Sequence, residues 1–299
     1  MTAALDVVER TSEPPHLRLG RARELLGYRE ILMNLVRKEL KVKYTASVLG
    51  AVWSLLNPVV FLIVFTLVFN VLLNNGIPDF PIFLLSGLVA WNLFSVSVTQ
   101  GARSVIDNAN LVKKVYFPRE ILPLAAIGAA LVDFVLQSLV LLAFMVVIGH
   151  DFHAAGLALL PLAFVTLLLF TVAMSFWVAA LNVRYRDVQH LLNLGLLVWF
   201  WMTPIVYSGW LAQSSERSVL GVRLFELYML NPMVGIISGF QRALYGAVRP
   251  PGAATPVLLG VSVGWLAGVL GIVLLGSALL LWLTWRTFFR LSGDFAEEL

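Results

Sequence analysis

The sequence predicts an all-α polytopic membrane protein with six transmembrane helices, an N-terminal amphipathic interface helix and a re-entrant outer hairpin between the fifth and sixth spans. Three observations predict this fold class. First, 60% of the 299 residues are hydrophobic, only 13% are charged and the mean hydropathy is +0.88, whereas a soluble domain is about half apolar and about a quarter charged. Second, six apolar runs approach or exceed the roughly 20 residues that cross a bilayer as a helix. Third, basic residues concentrate in alternate connecting segments.

Several kinds of site are excluded by the composition. The chain has no cysteine, so it has no disulfide bond and no thiolate metal site. It contains no Gly-x-x-x-x-Gly-Lys-Ser/Thr loop for nucleotide phosphates and no His-Glu-x-x-His motif for catalytic zinc. The net charge of +4 does not indicate nucleic-acid binding, because the positive charges lie at the edges of the apolar runs. We therefore expect no metal, cofactor or catalytic residue in this chain.

Residues 1–27 are polar and are predicted to form a cytoplasmic tail. Residues 28–47 have the pattern of an amphipathic helix lying in the membrane interface. Its apolar side would face the acyl boundary, and its basic side would contact anionic lipid headgroups; the alternative is an ordinary positive flank of the first span. The apolar side consists of Tyr28, Ile31, Leu32, Leu35, Val36 and Val42. The basic residues assigned to this helix are Arg37, Lys38, Lys41 and Lys43.

Residues 48–299 are predicted to form the six-span transmembrane domain. All but four of the 21 lysine and arginine residues lie on one side of it. By the positive-inside rule this side is cytoplasmic and holds both termini of the predicted multi-pass protein. The predicted spans are residues 48–73, 82–98, 121–148, 157–181, 191–206 and 257–285.

Residues 107–120 form a polar and basic loop between the second and third spans. Asp107 or Asn108 can cap a short helix there, and Pro118 can stop it. A soluble partner could push on such a helix; the alternative is an anchor loop that only sets topology. The helix would carry an apolar edge beside two cations: Leu111, Val112, Val115, Lys113 and Lys114.

Residues 222–246 contain two short apolar segments separated by Asn231 and Pro232. Each segment is too short to span a bilayer, so we expect a re-entrant or interfacial hairpin that lines a cavity. Aromatic residues near the fifth span could line a wide path, because flat rings suit the apolar faces of sugars; the alternative is that they anchor the span at the interface. The candidates for this polymer path are Trp199, Trp201, Tyr207 and Tyr228.

Asp133 lies midway along the third predicted span. A carboxylate at this depth is costly, so we expect it to face the bundle interior, near Gln137 and Ser138 on the same helix. With no basic partner visible inside the spans, it predicts a structural hydrogen bond rather than a proton relay.

Six short sequence pieces, in order around the six spans, carry a resemblance to a known family. They are residues 37–44 (Arg-Lys-Glu-Leu-Lys-Val-Lys-Tyr), Leu49-Gly50-x-x-Trp53-x-x-x-Asn57-Pro58, residues 110–119, residues 182–187, residues 203–207 and Leu230-Asn231-Pro232. With these pieces the chain resembles the membrane subunit of ABC exporters of polysaccharide and polyol-phosphate polymers, the group that exports O-antigen, capsule, teichoic-acid or galactan chains.

The resemblance implies a homodimer that pairs with two copies of a separate ATPase, and the ATPase would bind ATP and magnesium. It also implies that residues 107–120 are the coupling loop and that residues 222–246 are an outer gate. The residues assigned to ATPase coupling are Asn108, Asn110, Leu111, Val112, Lys113, Lys114, Val115, Phe117, Pro118 and Arg119.

The expected function is therefore that of a permease for a lipid-linked polysaccharide, with no covalent chemistry of its own. A drug or small-lipid exporter of the same architecture is the first alternative. A membrane-embedded glycosyltransferase is the second, although such an enzyme should show paired acids at a membrane face. The sequence does not specify the polymer.

Overall fold

The computed structural model describes residues 25, 27–45, 52–115, 117–151, 154–219, 221–246 and 248–298. In chain order the first elements are α1 Arg29–Tyr44, α2 Val52–Phe65, a π-helical segment Thr66–Leu72, α3 Phe80–Asp107, α4 Ala109–Lys114 and α5 Ile121–Ile148. The next are α6 Ala154–Leu157, α7 Leu159–Arg184, α8 Val188–Trp201 and α9 Trp210–Gln213. The last are β1 Ser218–Val219, β2 Val222–Arg223, α10 Leu224–Met229, α11 Pro232–Leu244, α12 Val263–Ser292 and α13 Phe295–Glu298. The predicted tail, residues 1–27, lies outside the described residues except for residues 25 and 27.

Four segments of the described chain are long and apolar enough to cross a membrane: α3, α5, residues 154–184 and α12. They correspond to the second, third, fourth and sixth predicted spans. The first and fifth predicted spans correspond to shorter apolar helices, Pro58–Leu72 and Val188–Trp201. At about 1.5 Å per residue, α8 alone is shorter than a hydrocarbon core of about 30 Å. The presence of six spans therefore stays a prediction.

Two long helices have boundaries that differ from the prediction. α3 continues to Asp107, well beyond the predicted end at residue 98, because its polar final turns are packed and Ser104 and Val105 are buried. α12 begins at Val263 rather than at residue 257. Residues 257–259 are instead buried in an irregular segment, and Ser262 Oγ then caps the helix by accepting the backbone N–H of Trp265 at 3.1 Å.

The larger apolar core surrounds α3, which packs against α5, α7 and α11, while α7 also packs along α12. Phenylalanine rings fill its centre, and Phe80, Phe83 and Phe94 have no exposed surface. A Cβ atom at Gly87 would lie 3.2 Å from both Gln241 Nε2 and Ile237 Cγ2, so glycine lets α11 approach α3 closely. The predicted hairpin helix α11 is thus part of the packed core.

A second apolar cluster, the basic-end cluster, lies where α1, α4 and α13 meet the ends of α5, α7 and α12. Its buried members include Leu35, Val36, Val112, Phe117, Phe288 and Phe295. This cluster joins the two terminal helices to the short helix α4. A displacement of α4 would therefore shift the packing of α1 and α13.

The apolar side of α1 is partly buried against the rest of the protein and partly exposed. Leu35 and Val36 are buried against α5, and a Cβ atom at Gly128 would lie 2.7 Å from Val36 Cγ2. Ile31 and Val42 remain 37% and 66% exposed. The expectation that the whole apolar side faces lipid is therefore wrong for its central turn, which packs against the transmembrane bundle.

Candidate functional site

A groove of about 360 Å³ runs between α2, α3 and α8. Its aliphatic lining is Leu88, Val96, Leu196 and Leu197. Its aromatic lining is Phe61, Phe65, Trp91, Phe200 and Trp201. Its polar lining is Asn92, Ser95 and Asn193. Polar side chains are expensive at membrane depth and usually mark a functional path, so this groove is the principal candidate site.

The aromatic side chains form a continuous wall, in which Phe65 stacks on Phe61 and Phe200 and meets Trp201 edge to face. Phe65 lies 5.5 Å from Phe61, 6.2 Å from Phe200 and 6.3 Å from Trp201, measured between ring centroids. Trp201 is 49% exposed, so its ring is available to a ligand. Such a wall offers flat apolar surface without rotamer freedom.

A buried side chain of α5 holds one polar residue of the groove lining in place. Asn92 Nδ2 donates to Gln137 Oε1 at 3.2 Å, and Gln137 is buried. Among the described residues Asn92 Oδ1 has no hydrogen-bond partner, so this oxygen is free to accept from a ligand. Ser95 lies one turn further along α3 and Asn193 is exposed on α8. Amides and hydroxyls both donate and accept hydrogen bonds, which matches the hydroxyl groups of a sugar.

The four predicted path residues separate into two groups. Trp201 lines the groove. Trp199 lies against the core, where its Nε1–H donates to Asn231 Oδ1 at 2.8 Å and its ring centroid is 5.3 Å from that of Phe94. Residues two apart on a helix differ by about 200° in direction, so the two tryptophans of α8 cannot share one face.

The other two path candidates, Tyr207 and Tyr228, form a pair above the groove. Their hydroxyls lie 3.2 Å apart, and the Tyr207 hydroxyl also donates to the carbonyl oxygen of Trp201 at 3.1 Å. Burial raises the pKa of Tyr207 and that of Tyr228, so both hydroxyls are neutral at physiological pH. The structure therefore places this pair next to Trp201, at the end of α8.

The outer hairpin consists of α10 and α11, and Asn231 holds the junction between them. Asn231 Oδ1 accepts the backbone N–H of Met233 at 3.0 Å, which caps α11, and its Nδ2 donates to Met202 O at 3.3 Å. Gln241 Nε2 donates to Pro204 O at 2.7 Å. The predicted break at Asn231 and Pro232 is therefore a junction of two helices tied to the end of α8, and re-entry into the membrane stays a prediction.

At the opposite end of the bundle, α4 differs in detail from the predicted coupling helix. Asn108 occupies the N-cap position but does not cap. Its Nδ2 donates to Ser104 O at 2.8 Å, and its Oδ1 accepts from Lys38 Nζ at 2.5 Å. The helix ends at Lys114, with extended backbone at Val115, so Pro118 does not stop it. Asn108 instead links α3 to α1.

The predicted apolar edge of α4 is divided by burial. Val112 is only 5% exposed, within the basic-end cluster, whereas Val115 is 49% exposed. Phe117 and Pro118 are buried, and Arg119 Nη1 donates to Gly293 O at 3.5 Å. The surface that α4 offers to a partner therefore consists of Asn110, Lys113, Lys114 and Val115, with Leu111 half-buried beside it; this set is the α4 face.

The basic residues of α1 also divide into two groups. Lys38 and Lys43 contact the bundle, and Arg37 and Lys41 are exposed. Lys43 Nζ lies 2.5 Å from Asp133 Oδ2, so the expectation that Asp133 has no basic partner is wrong. The partner comes from α1, which is outside the spans in which the sequence was searched for one.

Sequence reasoning missed Trp91, Asn92, Ser95 and Asn193. Asn92 and Asn193 interrupt apolar runs, and the spacing of Asn92 and Ser95 puts them on one helix face. That signal marks each helix separately, but the packing of α3 against α8 is what brings these residues into one groove.

Comparison with known proteins gives matches over most of the chain. A family model described as ABC-2 type transporter matches residues 31–245, a range that contains most of α1 and all of α4, the groove and α11. The O-antigen export system permease protein RfbA of Myxococcus xanthus is 36% identical over 245 residues, covering 81% of this chain and 90% of that protein. An O-antigen export system permease protein RfbA of Klebsiella pneumoniae is 33% identical over 224 residues, covering 75% of this chain and 83% of that protein.

Proposed function

This chain belongs to the ABC-2 type transporter family, and from that membership we propose that it is the membrane permease subunit of an ATP-driven exporter of a cell-surface polysaccharide. The polymer, carried on a lipid, would move outward across the bacterial cytoplasmic membrane. The chain itself binds and gates, and it performs no covalent step. Curated relatives named as O-antigen export permeases support this polymer class.

The observation that carries the proposal is the combination of aromatic rings with neutral polar groups in the groove between α2, α3 and α8. A sugar ring can stack on Trp201 while its hydroxyls exchange hydrogen bonds with Asn92 and Asn193. Each such hydrogen bond replaces one to water and contributes only about 0.5–1.5 kcal/mol net. Weak, repeated contacts of this kind suit a path along which a polymer must slide rather than stay bound.

The groove is open on one side, which supports pairing with a second copy of the chain. Asn193 and Leu194 are exposed on α8, and Leu194 is 61% exposed. An exposed amide facing lipid hydrocarbon would lack hydrogen-bond partners. A second copy would cover this face and enclose the two grooves in one water-containing path.

Energy for transport would come from a separate ATPase, present in two copies, which binds ATP and magnesium. The α4 face presents the exposed cations Lys113 and Lys114, which can steer an acidic surface of that partner. Movement of α4 would pass to α1 through the hydrogen bond of Lys38 to Asn108, and to α13 through the basic-end cluster.

In this proposal both termini are cytoplasmic, α1 lies at the inner membrane surface with Arg37 and Lys41 towards lipid headgroups, and the hairpin of α10 and α11 is the outer gate. The tyrosine pair and the contact of Trp199 with Asn231 connect that gate to α8. A rearrangement of α8 would therefore move the gate and the groove together.

The test is complementation of a strain that lacks its own O-antigen exporter, with this chain and its cognate ATPase expressed together. Surface polymer is measured with antibody at matched membrane levels of the permease. Trp201→Ala and Asn193→Leu should each reduce surface polymer several-fold, whereas Val147→Ala, on the exposed apolar side of α5 and outside the groove, should not. Equal export by all three variants would show that the groove has no role in transport. Export of a labelled small lipid without surface polymer would favour a small-lipid exporter instead.

A further inference from the structure

We infer that the polymer carried by this groove is an uncharged glycan, and that polyanions such as polyol-phosphate chains are poor substrates. The inference rests on the proposed function and specifies the substrate class of the same groove. Two observations carry the inference. The side chains that line the groove are neutral, and Gln137 fixes the amide of Asn92 by a hydrogen bond.

The described groove lining contains only neutral side chains. The sequence extends this observation along each wall. There is no Asp, Glu, Lys or Arg between Thr45 and Pro78, between Phe80 and Ala102, or along α8, where His190 is the one imidazole and lies outside the groove lining. The nearest guanidinium on α3 belongs to Arg103, which is exposed one helical turn or more from the lining residues, towards the basic end.

Neutral amides fit hydroxyl groups better than they fit phosphodiesters. A sugar hydroxyl donates and accepts, and so do the side chains of Asn92, Ser95 and Asn193. A phosphodiester only accepts and carries a full negative charge, so it needs cationic partners such as arginine or lysine wherever the apolar wall displaces its water. Asn92 donates one of its two amide N–H groups to Gln137, so the groove side of this residue offers a neutral amide that can accept as well as donate.

The aromatic wall of the groove also favours uncharged sugars over phosphate groups. The apolar C–H face of a hexose can lie on the exposed ring of Trp201. Phe65 meets that ring edge to face and stacks on Phe61, so apolar surface continues along the groove. A phosphate group would have to shed its hydration against these rings without gaining a partner. Uncharged repeats can therefore slide along the wall, while each charged repeat meets a barrier.

The experiment compares two polymers on the same lipid carrier in a strain whose own exporter is deleted. One is an uncharged hexose homopolymer and the other is a glycerol-phosphate polymer, each made by its own glycosyltransferase set. The full chain is expressed with its cognate ATPase, and surface and intracellular polymer are quantified by extraction. We expect the glycerol-phosphate polymer to reach the surface at least about tenfold more slowly, equivalent to about 1.4 kcal/mol.

Variants at one groove position give an independent readout. Asn193→Arg should increase surface glycerol-phosphate polymer relative to hexose polymer, whereas the neutral control Asn193→Gln should leave that ratio at the wild-type value. Membrane levels of both variants are compared on immunoblots, and the wild-type comparison stands even where a variant does not fold.

The outcomes separate the inference from the function on which it rests. Export of hexose polymer with retention of glycerol-phosphate polymer supports the inference. Equal export of both polymers overturns it and leaves the exporter function intact. Failure to export either polymer, with permease and ATPase both present in the membrane, overturns the proposed function itself.

Discussion

At the scale of single residues, the contact of Lys43 with Asp133 decides how α1 is held. Asp133 has 10% of its side-chain surface exposed and Lys43 has 34%, so the pair is only partly removed from water. A partly screened pair stabilises less than a buried one. Its role is positional, because it fixes the end of α1 that leads into the first predicted span.

We predict that Lys43→Met destabilises the protein by about 1–2 kcal/mol, because Asp133 is then left with one cationic partner fewer in an apolar helix. The measurement is thermal unfolding of purified protein in detergent. Lys41→Met, on the exposed side of the same helix, is the matched control and should have little effect. The double variant Lys43→Met/Asp133→Asn should recover part of the loss. Equal losses for Lys41→Met and Lys43→Met would show that the pair has no specific role.

The two tryptophans of α8 should behave differently, because one contacts the hairpin and the other lines the groove. Trp199→Phe removes the hydrogen bond to Asn231 and should cost about 1 kcal/mol of stability, with export per folded molecule preserved. Trp201→Phe keeps an aromatic ring and should change stability little. Trp201→Ala should lower export without a comparable loss of stability. Thermal unfolding and surface polymer are measured on all three variants. If Trp199→Phe lowers export at unchanged stability, Trp199 acts in transport itself, through the path or through its contact with the hairpin, and not only in folding.

At the scale of elements, α4 shows how burial changes the meaning of a sequence pattern. Its apolar edge was predicted from helical spacing, but only Leu111 and Val112 lie on the helix, whereas Val115 follows its end in extended backbone. The basic-end cluster takes Val112 into the interior, so Val115 is the one residue of the predicted edge that is fully on the surface, beside the exposed Asn110 and the two lysines. Substitution of Val112 would therefore test folding rather than partner binding.

We predict that Lys113→Glu/Val115→Asp abolishes co-purification of the ATPase and stops polymer export, with unchanged membrane level and unfolding temperature, because both side chains are exposed. Val112→Asp is the contrasting variant, and it should unfold the basic-end cluster at a cost of about 3 kcal/mol or more. Retention of ATPase and export by Lys113→Glu/Val115→Asp would mean that α4 only sets topology.

At the scale of the whole molecule, local patterns predicted the long helices, whereas contacts between distant residues had to come from the structure. Apolar length and basic loops depend on neighbouring residues, so α3, α5, α7 and α12 could be predicted. Lys43 and Asp133 are 90 residues apart, and Asn92 and Gln137 are 45 apart. Nothing in the periodicity of one helix specifies which partner it meets.

In the groove, too, single residues could be predicted from the sequence, but their arrangement could not. Trp201 could be predicted from its place near the end of an apolar run, and the 200° rule for residues two apart on a helix could have separated it from Trp199. Asn92 and Asn193 were visible as polar interruptions. Their convergence depends on the packing of α3 and α8, which follows from the core around Phe94 rather than from either sequence segment alone.

The open side of the groove leads to a prediction about assembly. Asn193 is exposed on α8 among Leu194, Leu197 and Val198, which are 61%, 58% and 58% exposed. In lipid this amide would lack partners, so the α8 face should be covered by a second copy of the chain. Val147 lies near the end of α5 between the exposed Val146 and Ile148 and is 84% exposed, and lipid can cover this apolar stretch without cost.

We therefore predict that Leu194→Cys forms a disulfide-linked dimer in native membranes under mild oxidation, whereas Val147→Cys does not. The chain has no cysteine of its own, so each variant reports a single position. The expected product is a band at twice the 33.0 kDa of the monomer on a non-reducing gel, and it should disappear on reduction. If Leu194→Cys stays monomeric while Val147→Cys cross-links, the copies meet through α5, and the groove beside α8 opens to lipid instead of to a shared path.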